Sequence, residues 1–109
     1  MVVLGIATCD TTRKALAALR TAGHQVEFRD VRVHPLAGTE MERLTGAFGD
    51  RIINRASTTW RGLDTAARDG TPAALIAAHP TLMKRPVIDT GEVLHLGWTP
   101  DIRMALTGA

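Results

Sequence analysis

Short apolar runs alternate along the chain with stretches in which apolar residues recur at helical spacing. The run over residues 2–7 predicts a buried strand, and the helical stretch behind it ends at Gly23. Alternating polar and apolar positions over residues 24–30 predict a second strand. Because a helix joins these strands, we expect a right-handed βαβ unit with parallel strands. The residues that share the apolar face of the first helix are Ala15, Leu16, Leu19 and Ala22.

The middle of the chain, at about residues 37–79, shows the signals of several helices. Thr39 with Glu42 three residues later predicts a capping box, and Thr71-Pro72 predicts a further helix start. The polar stretch over residues 54–59 predicts a loop.

Two short apolar runs near the end of the chain, flanking Thr90-Gly91, predict a β-hairpin. Thr99-Pro100 then predicts the start of a last helix. The whole order indicates one α/β domain over residues 1–109. We expect a thioredoxin-like fold, βαβ then ββα around a mixed four-stranded sheet, with a helical insertion at about 37–79. Pro86 opens the third strand, where folds of this type commonly hold a cis proline.

Composition and charge exclude several classes of protein. The chain has 109 residues, a formal net charge of +2 and one cysteine, which rules out an intramolecular disulfide. The weak basic bias does not indicate nucleic-acid binding, and no apolar run is long enough to span a membrane. No cluster has metal-ligand spacing, so we expect no metal and no bound cofactor. Without a signal-peptide pattern, the expected location is the cytoplasm.

Cys9 falls where the first strand ends and the first helix begins. A helix start offers unpaired backbone N–H groups and a partial positive charge, and both favour a thiolate or another anion. One hypothesis is a reactive Cys9 beside an anion cradle built from the backbone amides of Asp10 to Arg13, which include those of Thr11 and Thr12. The alternative is a small buried cysteine that fills space under the turn. The local sequence leaves both open.

Three segments carry a resemblance to a known family. They are Gly-Ile-Ala-Thr-Cys-Asp-Thr-Thr-Arg-Lys-Ala at 5–15, Arg-Ala-Ser-Thr-Thr-Trp-Arg-Gly-Leu at 55–63, and His-Pro-Thr-Leu-Met-Lys-Arg-Pro-Val-Ile at 79–88. In this order they resemble the arsenate reductase (ArsC) family of glutaredoxin type, in the broad sense that includes Spx regulators and YffB-like proteins. The resemblance implies that Cys9 is the nucleophile and that Arg55 and Arg85 bind an oxyanion. It also implies glutathione as co-substrate, with glutaredoxin as a further partner.

The chain departs from the family pattern at several positions. Arsenate reductases carry a histidine four residues before the cysteine, where this chain has Gly5, and they have a further arginine in the last hairpin that is absent here. Many Spx proteins have a second cysteine where this chain has Thr12. The resemblance therefore favours a thiol-dependent oxidoreductase acting on an oxidised or anionic substrate. A true arsenate reductase and an Spx-like module that binds RNA polymerase are the alternatives.

Overall fold

A computed structural model describes all residues from Met1 to Ala109. The chain divides into two compact units. The first contains residues 1–31 and 85–109, and the second contains residues 32–84. The helical insertion expected at about 37–79 lies within the limits of the second unit.

A mixed four-stranded sheet forms the first unit, with the strand order β2-β1-β3-β4. Its strands are β1 (Val2–Gly5), β2 (Glu27–Asp30), β3 (Val87–Asp89) and β4 (Leu94–Leu96). β1 is parallel to β2 and antiparallel to β3, and β3 is antiparallel to β4. The parallel pair and the hairpin agree with the sequence pattern. The thioredoxin-like fold class is therefore confirmed.

Helix α1 (Asp10–Thr21) connects the parallel strands, and α6 (Pro100–Thr107) ends the chain. Leu16 and Leu19 of α1 pack with Val3 and Ile88 of the sheet in one buried cluster. Burial of each large aliphatic side chain stabilises a fold by roughly 1.5–3 kcal/mol. Partly buried apolar residues that pack against this cluster are Met1, Val26, Phe28, Trp98, Ile102 and Leu106. Ala22, which the helical spacing assigned to the apolar face of α1, is instead exposed.

The second unit contains helices and one isolated β-bridge, between Ile53 and Met83. Its helices are α2 (Gly38–Phe48), α3 (Thr58–Arg61), α4 (Thr65–Arg68) and α5 (Pro72–Ala78), with 3-10 helices at Gly49–Ile52 and Pro80–Leu82. Its buried apolar side chains come from four of these elements and from the bridge. They are Met41, Leu44, Ile52, Ile53, Leu75, Ile76, Leu82 and Met83.

The starts of three helices test the N-cap residues that the sequence predicts. Thr71 and Thr99 cap α5 and α6, since their hydroxyls accept hydrogen bonds from the N–H groups three residues later. The capping box predicted at Thr39 is wrong. The N-cap of α2 is Ala37, two residues earlier, and the carboxylate of Glu40 accepts the backbone N–H of Ala37 at 2.8 Å. Glu40 thus supplies the contact that the sequence analysis assigned to Glu42.

The loop predicted at 54–59 is also partly wrong, because α3 begins at Thr58. The hydroxyl of Ser57 accepts the N–H of Trp60 at 3.1 Å and caps this single turn. None of the helices combines the length and the apolar character that crossing a membrane requires.

Candidate active site

Cys9 is the N-cap residue of α1, with an extended backbone (φ −82°, ψ 119°). Its N–H donates to the carbonyl of Ile6 at 2.9 Å, and its carbonyl accepts the N–H of Arg13 at 3.0 Å. The residue is partly exposed and makes no disulfide. The turn and the helix therefore fix the backbone of Cys9 while a reagent can still reach its sulfur.

Asp30, the last residue of β2, holds the turn that leads to Cys9. It is 9% exposed, and its Oδ2 accepts the backbone N–H of Ala7 at 2.9 Å. The next residue, Val31, donates its N–H to the carbonyl of Gly5 at 3.0 Å. Sequence reasoning missed this role. The available signal was an acidic residue at the C-terminal end of a strand that was predicted to pair with β1.

Thr12 is the third residue of α1, and its side chain is completely buried against β1. A Cβ atom at Gly5 would lie 2.6 Å from both Cγ2 and Oγ1 of Thr12, far inside contact distance. The absence of a side chain at Gly5 therefore allows the first turn of α1 to approach the strand. The hydroxyl of Thr12 has no hydrogen-bond partner of standard geometry.

Arg85 lies two residues before β3, in the same unit as Cys9; the strand begins at Val87 and not, as predicted, at Pro86. The Arg85–Pro86 peptide bond is cis, as expected for this fold. Pro86 is buried, and its carbonyl accepts the N–H of Gly97 at 2.7 Å. This contact ties the start of β3 to the end of β4.

Thr12 and Arg85 make Cys9 more acidic than an ordinary cysteine. Partial burial of the sulfur raises the pKa of Cys9, but the other contributions outweigh it. The hydroxyl and the backbone N–H of Thr12 lower the pKa, and the Arg85 guanidinium lowers it through a hydrogen bond and through its charge. The net pKa lies below the usual value for a cysteine. Such a thiol is a better nucleophile at neutral pH, because more of it is thiolate.

The other two residues proposed for the anion cradle lie on the exposed side of α1. Thr11 is exposed, and the Arg13 guanidinium pairs with the Asp10 carboxylate at 3.0 Å. The side chains of this pair are 62% and 84% exposed, so the ion pair adds at most about 1 kcal/mol to stability. The roles of Thr11 and Arg13 toward an anion remain predictions.

Arg55 belongs to the second unit, where it stacks on an aromatic ring. Its guanidinium lies 5.3 Å from the centroid of Trp60, and that of Arg68 lies 5.4 Å from the same ring. Arg68 also donates hydrogen bonds to the carbonyl of Trp60 at 3.2 and 3.3 Å. These contacts restrict the orientation of Arg55. Its expected binding to an oxyanion remains a prediction.

The fold and this site can be compared with known proteins. The chain is similar to the YFFB protein, with 30% identity, a TM-score of 0.83 and 97% of each chain covered. It is similar to an arsenate reductase (ArsC) related protein from Brucella melitensis, with 31% identity, a TM-score of 0.73 and coverage of 95% of this chain and 91% of the other. An uncharacterized protein of Haemophilus influenzae is 40% identical over 93 residues, which are 79% of this chain and 80% of its relative.

The mixed sheet and the structural neighbours define the class of protein by its fold, which is that of the arsenate reductase-like proteins. The model of the ArsC family matches residues 4–104. The chain belongs to the ArsC family.

Proposed function

We propose that this protein is a thiol-dependent oxidoreductase in which Cys9 is the nucleophile and glutathione is the co-substrate. The observation that carries the proposal is the lowered pKa of Cys9 at the start of α1, beside Thr12 and Arg85. A structural cysteine needs neither access to solvent nor a stabilised thiolate. Cys9 has both, which is typical of a reactive thiol.

The proposed reaction is a pair of thiol–disulfide exchanges. The Cys9 thiolate attacks one sulfur of a mixed disulfide between glutathione and a small thiol. The Cys9–glutathione disulfide forms, and the small thiol leaves as a thiolate that takes a proton from water. A second glutathione thiolate then attacks the glutathione sulfur, which releases oxidised glutathione and restores the Cys9 thiolate. Over both steps the sulfur of the small thiol is reduced and the sulfur of the second glutathione is oxidised by the same amount, while the first glutathione passes from one disulfide to the other.

The absence of a second cysteine supports an external thiol as the reductant. With one cysteine, the chain cannot resolve the Cys9 adduct by itself. A thiol held in large excess in the reducing cytosol suits this need, so the proposal includes a cytoplasmic location and glutaredoxin as a protein partner. The same groups that lower the pKa of Cys9 also make its sulfur a better leaving group in the second exchange.

Positive groups would orient an oxidised or anionic substrate at Cys9. The proposal assigns this task to Arg85, to the backbone N–H groups of Thr11 and Thr12 at the helix start, and to the guanidinium of Arg13. The role of Arg55 rests on the family resemblance alone. Guanidinium groups bind oxyanions in a bidentate manner, and the helix start adds N–H donors. Gly5 and the missing arginine of the last hairpin count against arsenate as that substrate, since two groups found at the site of the arsenate reductases are lacking.

The test compares wild-type protein with Cys9→Ser in an assay that couples formation of oxidised glutathione to a reporter. The substrate is a mixed disulfide of glutathione with a small thiol, and arsenate is a second substrate. We expect turnover of the disulfide by the wild type, loss of turnover in Cys9→Ser, and a glutathione adduct on Cys9 by mass spectrometry. Full activity of Cys9→Ser, or turnover of arsenate alone, would show that the proposal is wrong.

A further inference from the structure

A pocket of about 410 Å³ in the second unit is surrounded by basic and amide side chains. Its basic side chains are Arg51, Arg55 and Lys84, and Asn54 adds a carboxamide. The buried residue Ile53 also lines it. Asp50 is the one carboxylate among the lining residues, so the pocket has an excess of positive charge. Pockets that hold small molecules typically start at roughly 300 Å³.

The three cations of this pocket are not neutralised by the protein. None of them has a carboxylate within ion-pair distance, although Asp50 lines the same space. Two of them are held by aromatic rings instead: Arg51 lies 5.9 Å from the centroid of Phe48, and Arg55 lies 5.3 Å from that of Trp60. Contact with a ring face supplies no hydrogen-bond acceptor in the guanidinium plane, so the N–H donors of each guanidinium stay available. Three like charges kept together repel one another, and a bound anion would relieve that repulsion.

Backbone contacts hold the pocket in shape. The N–H of Asn54 donates to the carbonyl of Leu82 at 2.8 Å, and the N–H of Lys84 donates to the carbonyl of Ile52 at 2.7 Å. The Oδ1 of Asn54 accepts the N–H of Ala56 at 3.1 Å. Because that oxygen is occupied by an internal donor, the Nδ2 group of Asn54 is left as a donor for a ligand.

We propose that this pocket binds a small ligand that carries two or more carboxylates. Apart from the Asp50 carboxylate, the polar side-chain groups that line the pocket are donors, and this excess of donors favours an acceptor-rich ligand. The cations come from different chain segments around a space much larger than a single tetrahedral oxyanion. A ligand with separated carboxylates satisfies them better than one compact anion. The planar forks of Arg51 and Arg55 also match carboxylate geometry.

The proposal goes beyond the thiol chemistry, because it requires no reaction at Cys9. Only Arg55 is shared with the anion-binding residues proposed above. The decisive variants are therefore Arg51→Gln and Lys84→Gln, which leave Arg55 and Cys9 in place.

Calorimetric titration at low ionic strength tests the proposal, with citrate as the polycarboxylate probe and inorganic phosphate as the compact anion. We expect saturable citrate binding to the wild type, weakened about tenfold or more in Arg51→Gln and Lys84→Gln. The matched control is Arg20→Gln, which removes the same charge from an exposed position near the end of α1. Arg20→Gln is expected to change citrate affinity less than about twofold, because a single exposed charge outside the pocket contributes little to binding. Cys9→Ser is expected to leave citrate affinity within the same limit.

Three results would overturn the proposal. They are no citrate binding by the wild type, an equal loss of affinity in Arg20→Gln, and phosphate binding as tight as citrate binding. Loss of reductase activity in Cys9→Ser with intact citrate binding would separate the two proposals. Thermal unfolding of each variant shows whether a loss of binding reflects a loss of folded protein.

Discussion

Gly5 and Thr12 form a close-packed pair in which the missing side chain of one makes room for the other. A Cβ at position 5 would meet two side-chain atoms of Thr12 at 2.6 Å. Thr12 in turn supplies two of the groups that lower the pKa of Cys9. A residue four positions before the cysteine, without any side chain of its own, therefore helps to set the acidity of the thiol.

The first prediction concerns Gly5→Ala. We expect the added methyl group to displace Thr12, to lower the free energy of unfolding by about 1–3 kcal/mol and to raise the pKa of Cys9. Chemical denaturation and pH-dependent alkylation measure the two effects. The matched control is Gly46→Ala within α2, where nothing lies within 4 Å of the new Cβ. That substitution is expected to stabilise the protein by up to about 1 kcal/mol.

Combining Gly5→Ala with Thr12→Ala tests the contact itself. If the clash is with the Thr12 side chain, the loss of stability in the double variant is smaller than the sum of the two single losses. Strict additivity would mean that Gly5→Ala acts through some other contact.

The second prediction concerns Thr12→Val, which keeps the shape of the side chain and removes its hydroxyl. We expect the pKa of Cys9 to rise, because one of the groups that favour the thiolate is lost. Stability is expected to change by no more than about 1 kcal/mol, because apart from its contact with the Cys9 sulfur the buried hydroxyl has no hydrogen-bond partner of standard geometry. Thr12→Ser, which retains the hydroxyl, is expected to preserve the acidic thiol. An unchanged alkylation profile in Thr12→Val would contradict the assigned role.

The third prediction concerns Arg85→Gln. Losing the guanidinium removes both a hydrogen bond to the sulfur and a nearby positive charge, so the pKa of Cys9 is expected to rise. Alkylation at pH 7 becomes slower as the thiolate fraction falls. Arg20→Gln, in the last turn of α1, removes a charge of the same sign and is expected to leave the profile unchanged. Equal shifts in the two variants would point to net charge as the cause.

The fourth prediction is a pH dependence of stability. Folding lowers the pKa of Cys9, so the folded state binds the thiol proton less strongly than the unfolded chain does. This contribution is complete above the pKa of the unfolded cysteine and disappears as the pH falls through the pKa of the folded one. The stability of the wild type relative to Cys9→Ser should therefore rise with pH across that window. Denaturation series for both proteins measure it, and a flat or falling difference would contradict the lowered pKa.

The sequence predicted much of the fold because its strongest signals are local. Helices start at Thr71-Pro72 and Thr99-Pro100, as the sequence predicts, because each threonine hydroxyl accepts a hydrogen bond from the N–H group three residues later. The parallel pair of strands follows from the helix that connects them. Short elements were missed where one turn carries no periodicity. The four-residue helix after Ser57 is an example, because its cap was present but its apolar pattern was not.

The sequence located Cys9 at the start of a helix but not the contacts that lower its pKa. Cys9 could be assigned to the start of α1 from the strand and helix patterns alone. The fit of Gly5 against Thr12 and the contact of Asp30 with Ala7 depend on residues that meet only after folding. Residue spacing and composition do not show how closely the first turn of α1 approaches β1, or that the end of β2 contacts the turn after β1. Likewise, the sequence gives no sign that Arg55 stacks on Trp60.

The central claim is that Cys9 is an acidic, accessible thiol, and the pH dependence of its alkylation in the wild type tests it most directly. The structure predicts that the rate of reaction with iodoacetamide rises with a midpoint below that of the same cysteine in the unfolded chain, because the fold lowers the pKa of Cys9. The midpoint should move upward in Arg85→Gln. A midpoint at or above that of the unfolded chain, unaffected by Arg85→Gln, would show that Cys9 is not poised for nucleophilic chemistry.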